Sequence, residues 1–312
     1  MKLIRNYIVV FAILSSTIGI AQQLPQFTQY MYNTISINPA YAGSRETLSV
    51  IGLHRSQWVG FKGGPITQTL TANMPLRNEK IGVGVSFIND KLGFENFSYL
   101  YADFSYTINT GEKTKLAFGI KGGFTQYSLN SELRGHESTI HDGSIFGVED
   151  RWNPNIGIGF FWHSQKWYLG LSAPRILNTD YNKIGSGNGI QYESLERISY
   201  YITGGYVFNM SDSTKFKPAA LIKATNGAPL SYDITANFLF NEKLWLGASY
   251  RINNQTSALG ALADFQISKE LRIGYAYEYP LSELNDYTGG SHEILLMYEI
   301  FKVKRVKSPR YF

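Results

Sequence analysis

The 312-residue sequence has no cysteine. That excludes disulfides, thiolate metal sites and a lipid anchor on cysteine. Charge is sparse, with 17% Asp, Glu, Lys and Arg and a formal net charge of +5. Setting Lys2 and Arg5 aside lowers it to about +3, a balance that gives no support to a nucleic-acid partner. Long hydrophobic runs are missing too. The one apolar stretch, Tyr7 to Ile20, falls short of the ~18–20 residues of a membrane helix. With Lys2 and Arg5 before it and the small-residue site Gly19-Ile20-Ala21 at its end, it has the make-up of a secretory signal peptide over residues 1–21. The mature chain is expected to begin near Gln22, outside the cytoplasm.

What the chain does have is aromatic and glycine residues: 22 Tyr, 19 Phe, 5 Trp and 30 Gly. Much of it alternates with the two-residue period of strands. Fourteen candidate strands fall at 48–58, 66–76, 80–90, 97–109, 114–127, 154–164, 166–174, 197–210, 214–225, 231–241, 243–253, 256–268, 271–280 and 290–301. In the thirteenth, Leu271, Ile273, Tyr275, Tyr277 and Tyr279 share one face, and Arg272, Gly274, Ala276 and Glu278 share the other. A soluble sandwich also alternates, so the connections decide. Those after even-numbered strands are short and polar ("LRNE", "TGEK", "SQ", "SDS", "NE", "SKE"). Those after odd-numbered strands are longer, including 128–153 and 175–196. Long loops on one rim and short turns on the other, behind a signal peptide, predict an all-β transmembrane antiparallel barrel of the outer-membrane type. Lipid cannot satisfy an open sheet edge, so the strands must close. The expected division is 1–21 signal peptide, 22–46 N-terminal segment, 47–301 barrel and 302–312 basic tail.

Charged residues opposite the aromatics include Asp103, Lys121, Lys217, Lys223, Arg251, Arg272 and Glu278. Lipid excludes them, so they face the lumen, as a pore lining or as paired filling. No set of residues for catalysis emerges. "HESTIH" (136–141) holds its histidines five apart rather than four, so they do not share a helical face. "IGVGVS" has no third glycine and no helix after it, which leaves nucleotide binding unsupported. No enzyme, cofactor or metal site is expected. The barrel itself would be solvated by outer-membrane lipid.

The N-terminal segment departs from this pattern. In "QFTQYMYNTIS", Phe27, Met31 and Ile35 recur at helical spacing, with Tyr30 and Asn33 among them. In "NPAYAG" the segment then halts, with Pro39 disfavouring helix at Asn38 ahead of Tyr41. Strand parity places the segment on the periplasmic side. A short helical turn that plugs the periplasmic mouth, or contacts a partner there, is expected. In the tail, Lys302, Lys304, Arg305, Lys307 and Arg310 would either dock an acidic surface or remain solvated.

Four blocks together resemble the PorP/SprF family of type IX secretion system outer-membrane proteins of Bacteroidota. They are "FTQYMYNTISINPAYAGSR" (27–45), "RSQWVGFKGGPITQT" (55–69), "LWLGASYR" (244–251) and "GYAYEYPLSELNDYTGGSHEILLMYE" (274–299). The resemblance implies a non-enzymatic barrel that helps export or surface-anchor a secreted protein, such as a gliding-motility adhesin, through its C-terminal signal domain. It also implies association of some members with periplasmic ring lipoproteins of the secretion motor. On that reading the long loops hold the client, with Trp152, Tyr181, Tyr192 and Tyr287 as aromatic anchors. The alternative is a diffusion channel or transporter for small molecules.

Overall fold

The computed structural model describes residues 25–129, 151–180, 195–253, 257–301 and 311–312. The first seven barrel strands are β1 (Leu48–Ser56), β2 (Ile66–Pro75), β3 (Ile81–Leu92), β4 (Glu95–Asn109), β5 (Lys115–Leu129), β6 (Arg151–His163) and β7 (Trp167–Ala173). The other seven are β8 (Ser199–Tyr206), β9 (Thr214–Thr225), β10 (Ser231–Phe240), β11 (Leu244–Ile252), β12 (Ala258–Gln266), β13 (Leu271–Pro280) and β14 (Ser291–Ile300). Each pairs antiparallel with the next, and β1 pairs with β14 from Leu48↔Ile300 to Ser56↔His292. The sheet is therefore a closed antiparallel barrel of fourteen strands. Every predicted strand has its counterpart, and the ends shift by a few residues.

Alternation assigns the two faces. Leu70 (56% exposed), Ile120 (60%), Ile234 (50%) and Leu296 (50%) point outward at mid-strand. Their in-chain neighbours, such as Thr69, Lys121, Asp233 and Leu295, are buried inward. An outward row of large apolar side chains is what lipid solvates. Aromatic residues gather on the outside near the short-turn rim. Phe118 meets Phe160 at 5.4 Å and Phe216 meets Phe238 at 4.8 Å, with Trp162 beside them facing Trp167 at 4.9 Å. At the other rim Tyr200, Tyr232, Tyr250 and Tyr279 face out. Aromatic girdles at both interfaces follow from rings with an apolar body and a polar tip.

One connection differs from expectation. Residues 91–96 are not a loop, because β3 and β4 continue outward until only Gly93 and Phe94 remain between them. Gly93 has φ +58°, the left-handed backbone that a two-residue hairpin demands. Asn89 Nδ2 bridges to Asn96 Oδ1 and Ser98 Oγ across that hairpin, both at 3.0 Å. At 15 residues each, β4 and β5 exceed the roughly 9–11 a barrel strand needs to cross lipid, so they project beyond it.

Replacing Ile120 with Lys places an ammonium on the lipid face near mid-strand. It is expected to destabilise the barrel by about 2–4 kcal/mol in a denaturant titration in vesicles. A loss within error of zero would show that this face does not meet lipid.

Candidate functional site

The lumen is the part of the molecule with built chemistry. Its occupant is the N-terminal segment. Residues 27–42 are almost wholly buried, including Gln29, Asn33, Ile35 and Ala40 at 0% exposure. A helix at a mouth would keep a wet face. Here every side is covered.

The segment runs lengthwise through the barrel. Its start lies toward the long-loop rim, where Gln26 Nε2 donates to Ser231 Oγ at 3.2 Å and Thr28 N–H donates to Glu293 Oε1 at 2.6 Å. Mid-lumen, Thr71 Oγ1 donates to Asn33 Oδ1 at 2.9 Å, and Lys121 Nζ to the Ile35 carbonyl at 3.3 Å. Toward the short-turn rim, Asn38 Nδ2 donates to the Phe160 carbonyl at 3.0 Å, and Ser105 Oγ to the Ala42 carbonyl at 2.7 Å. Arg45 Nε then pairs with Glu299 at 2.9 Å as the chain turns into β1. The expected position at the periplasmic mouth is thus corrected. Strand parity fixes where the chain enters β1, not how deep the preceding residues lie.

The local conformation needs a second correction. Thr34–Ser36 is a single 3-10 turn, and Pro39–Tyr41 is another. "NPAYAG" therefore halts the first turn, as expected, and starts a second. Asn38 is extended (φ −139°, ψ 109°), as the residue before proline must be, and its Oδ1 accepts from Ala40 N–H at 3.0 Å. Pro39 has no N–H, so it leaves no donor unpaired at the first position of the turn.

Two kinds of wall receive the segment. On one side Ile51, Leu53, Leu295 and Met297 turn apolar side chains inward and pack on Phe27, Tyr30, Met31, Tyr32 and Ile37. This apolar strip inside a barrel exists because the segment covers it. On the other side the wall is glycine. A Cβ added to Gly119 would lie 2.1 Å from Ala40 N, one on Gly82 2.0 Å from the Ala42 carbonyl, and one on Gly84 2.3 Å from Ile35 Cδ1. Gly159 is as close, with Asn38 Oδ1 2.1 Å away. The glycines of "IGVGVS" thus make room for the segment, Gly82 for the Ala42 backbone and Gly84 for the Ile35 side chain.

Several of the inward charges pair. Lys121 meets Asp103 at 2.8 Å, and Arg251 meets Asp233 at 2.6 Å and Glu278 at 3.1 Å. Arg55, 1% exposed, bridges Glu278 and Glu293, and its guanidinium also donates to Thr28 Oγ1 at 2.9 Å. Glu293 is the hub, since it accepts from Arg55 and from the N–H groups of Thr28 and Gln29. Sequence reading named Asp103, Lys121, Arg251 and Glu278 but missed Arg55, Asp233, Glu293 and Glu299. Their signal was the same alternation, with Arg55, Glu293 and Glu299 on the two strands that close the ring and Asp233 on β10. Tyr32 donates to Asp264 Oδ2 at 3.0 Å.

Of the expected anchors, Trp152 and Tyr287 are exposed at the long-loop rim, at 52% and 70%. Tyr181 and Tyr192 lie outside the described residues, as do His136, His141 and the tail residues Lys302, Lys304, Arg305, Lys307 and Arg310. Phe27, Tyr30, Asn33, Asn38, Pro39 and Tyr41 all lie in the lumen.

A closed barrel with a lipid-facing apolar exterior, aromatic girdles and charges turned inward is an outer-membrane β-barrel. The family model described as "Type IX secretion system membrane protein PorP/SprF" matches residues 19–298, and the chain belongs to that family. It is an outer-membrane component of the type IX secretion system. No curated protein matches it. Among solved structures, the Ralstonia pickettii toluene transporter TbuX is similar at 12% identity and TM-score 0.51, over 85% of this chain and 92% of that one. The TodX deltaS2S3 mutant monoaromatic hydrocarbon channel is similar at 10% and 0.50, over 84% and 92%. The Acinetobacter baumannii outer membrane protein Omp33 gives 10% and 0.48, over 82% and 98%. At such identities the first two share the fold alone.

Arg55→Ala leaves Glu293 without its buried counter-charge and is expected to cost about 3–5 kcal/mol in chemical unfolding. Equal stability would mean that water reaches the cluster. Gly119→Val drives a side chain into the Ala40 backbone. It should speed amide exchange across residues 35–42 by about tenfold while leaving β9–β12 unchanged.

Proposed function

We propose that this barrel holds a secreted client protein at the cell surface, and helps export it, through the client's type IX C-terminal signal domain. The observation that carries this reading is the filled lumen. Residues 27–42 occupy the path a solute would take, held to the wall by hydrogen bonds and by glycine contacts. A barrel so filled offers its rims rather than its interior. The long-loop rim is the client side, with Trp152 and Tyr287 as described aromatic anchors and Tyr181 and Tyr192 from the adjoining loop. Family membership supplies the machine. In this reading the leader is removed after Ala21 and the basic tail residues 302–310 face the periplasm, toward ring lipoproteins of the secretion motor. Adhesins, including those of gliding motility, are the client class.

The channel reading takes its support from the two solved structures whose names say transporter and channel. Conductance separates the readings. The docking barrel is silent in a planar bilayer, and a solute channel conducts.

The deciding experiment is a tagged pull-down from gently solubilised outer membranes with mass spectrometry of the eluate. One large surface protein carrying its C-terminal domain is the expected companion, lost when the 279–292 loop is exchanged for that of a sibling barrel. Recovery of ring lipoproteins without any such client would overturn client docking.

A further inference from the structure

The short-turn mouth holds a second occupant, from the other end of the described chain. The chain leaves β14 at Ile300, yet Tyr311 and Phe312 lie beside β7 and β9. In the ring of fourteen, β7 stands opposite β14.

The dipeptide sits in a built site. The Phe312 ring meets Tyr168 edge-on at 4.8 Å and packs on the cluster of Ile35, Ala40, Tyr41, Ala42, Ala117, Phe161 and Tyr168. Four members of that cluster belong to the lumenal segment and three to the wall, so Phe312 touches the junction between them. Its carbonyl accepts from Arg45 Nη1, and the preceding carbonyl, of Tyr311, accepts from Lys217 Nζ at 2.8 Å. Lys215 lies over the Tyr311 ring, 4.5 Å from its centroid, and donates to its hydroxyl. Lys217 is itself 1% exposed and held 4.5 Å from the Trp245 ring centroid, so its ammonium is positioned before the peptide arrives. Two cationic donors on successive carbonyls, an aromatic nest for one ring and a cation over the other select an aromatic dipeptide.

Arg45 makes the site more than a tether. It ends the lumenal segment, pairs with Glu299 on β14 and reaches the Tyr41 hydroxyl at 3.4 Å. The donor that holds Phe312 is thus part of what seats the segment. We propose that Tyr311-Phe312 is a latch: an aromatic peptide docked in the short-turn mouth that keeps residues 35–45 against the glycine wall, and whose withdrawal unseats the lumenal segment and opens the barrel. The site accordingly has a ligand class, an aromatic dipeptide presented from the short-turn side. Any partner offering one there competes with the chain's own. The latch does not depend on which client the outer rim holds.

The test uses the full-length protein refolded into vesicles and planar bilayers. Replacing both residues (Tyr311→Ala, Phe312→Ala) should speed amide exchange across residues 27–45 by about tenfold, leave β10–β12 unchanged, and bring openings to a silent barrel. A synthetic peptide of residues 302–312 added on the short-turn side should restore protection and silence. The same peptide with alanine at both aromatic positions should not. Unchanged exchange in residues 27–45, or unchanged conductance, in a barrel that still migrates as folded on unheated gels would overturn the latch. If the double variant fails to fold, Lys217→Met removes one carbonyl donor while keeping the dipeptide, and the same two readouts decide.

Discussion

The structure depends on one ion pair that sits on its own seam. Arg55 on β1 and Glu293 on β14 are cross-strand partners in the pairing that closes the ring, and their side chains meet on the lumenal side. A buried charge pair repays its desolvation when further hydrogen bonds support it, and here the extra acceptor capacity of Glu293 is taken up by Thr28 and Gln29 N–H. Glu278 joins from β13 and links the pair to Arg251 and Asp233. Closure of the wall and occupation of the lumen are therefore satisfied by the same carboxylate.

From that arrangement the division of labour around the wall follows. Lipid demands apolar residues outside, which leaves the inward positions to whatever the lumen needs. Where it holds the apolar edge of the segment, the wall supplies Ile51, Leu53, Leu295 and Met297. Where it holds the segment's backbone, the wall supplies Gly82 and Gly119, and Gly159 makes room for the Asn38 side chain. Elsewhere it supplies paired charge, as in Asp103 and Lys121. One strand pattern thus carries three different linings on its inner face.

Much of this was legible in the sequence, because period-two alternation marks the strands and the long and short connections mark the two rims. All fourteen strands could be placed that way, and Lys121, Arg251 and Glu278 could be turned inward before any coordinates. The lumenal segment was legible only in part. Spacing of Phe27, Met31 and Ile35 said that it would plug the mouth or meet a partner, but a short stretch carries no record of which surface receives it. Its complement is scattered over β3, β5 and β6 as single glycines, each of which reads alone as an ordinary strand glycine. The Gly93-Phe94 hairpin was missed for a similar reason. Its polar flanks Lys91, Glu95 and Asn96 look like loop, and the hydrogen bonds of Asn89 across the turn help hold the two strands in register.

The seating of Thr28 and Gln29 on Glu293 spans 265 and 264 residues of chain. The segment that fills the lumen emerges before any strand exists, while the carboxylate that receives it belongs to the last. Between the two the chain must keep a buried-to-be run of tyrosines and amides waiting without a pocket. A sheet that curls around its own beginning meets both needs together, because the final strand that closes the wall also carries the carboxylate that receives the filling. Contacts of such long sequence separation make that step slow, and a helper that shields residues 25–45 until then would shorten the wait.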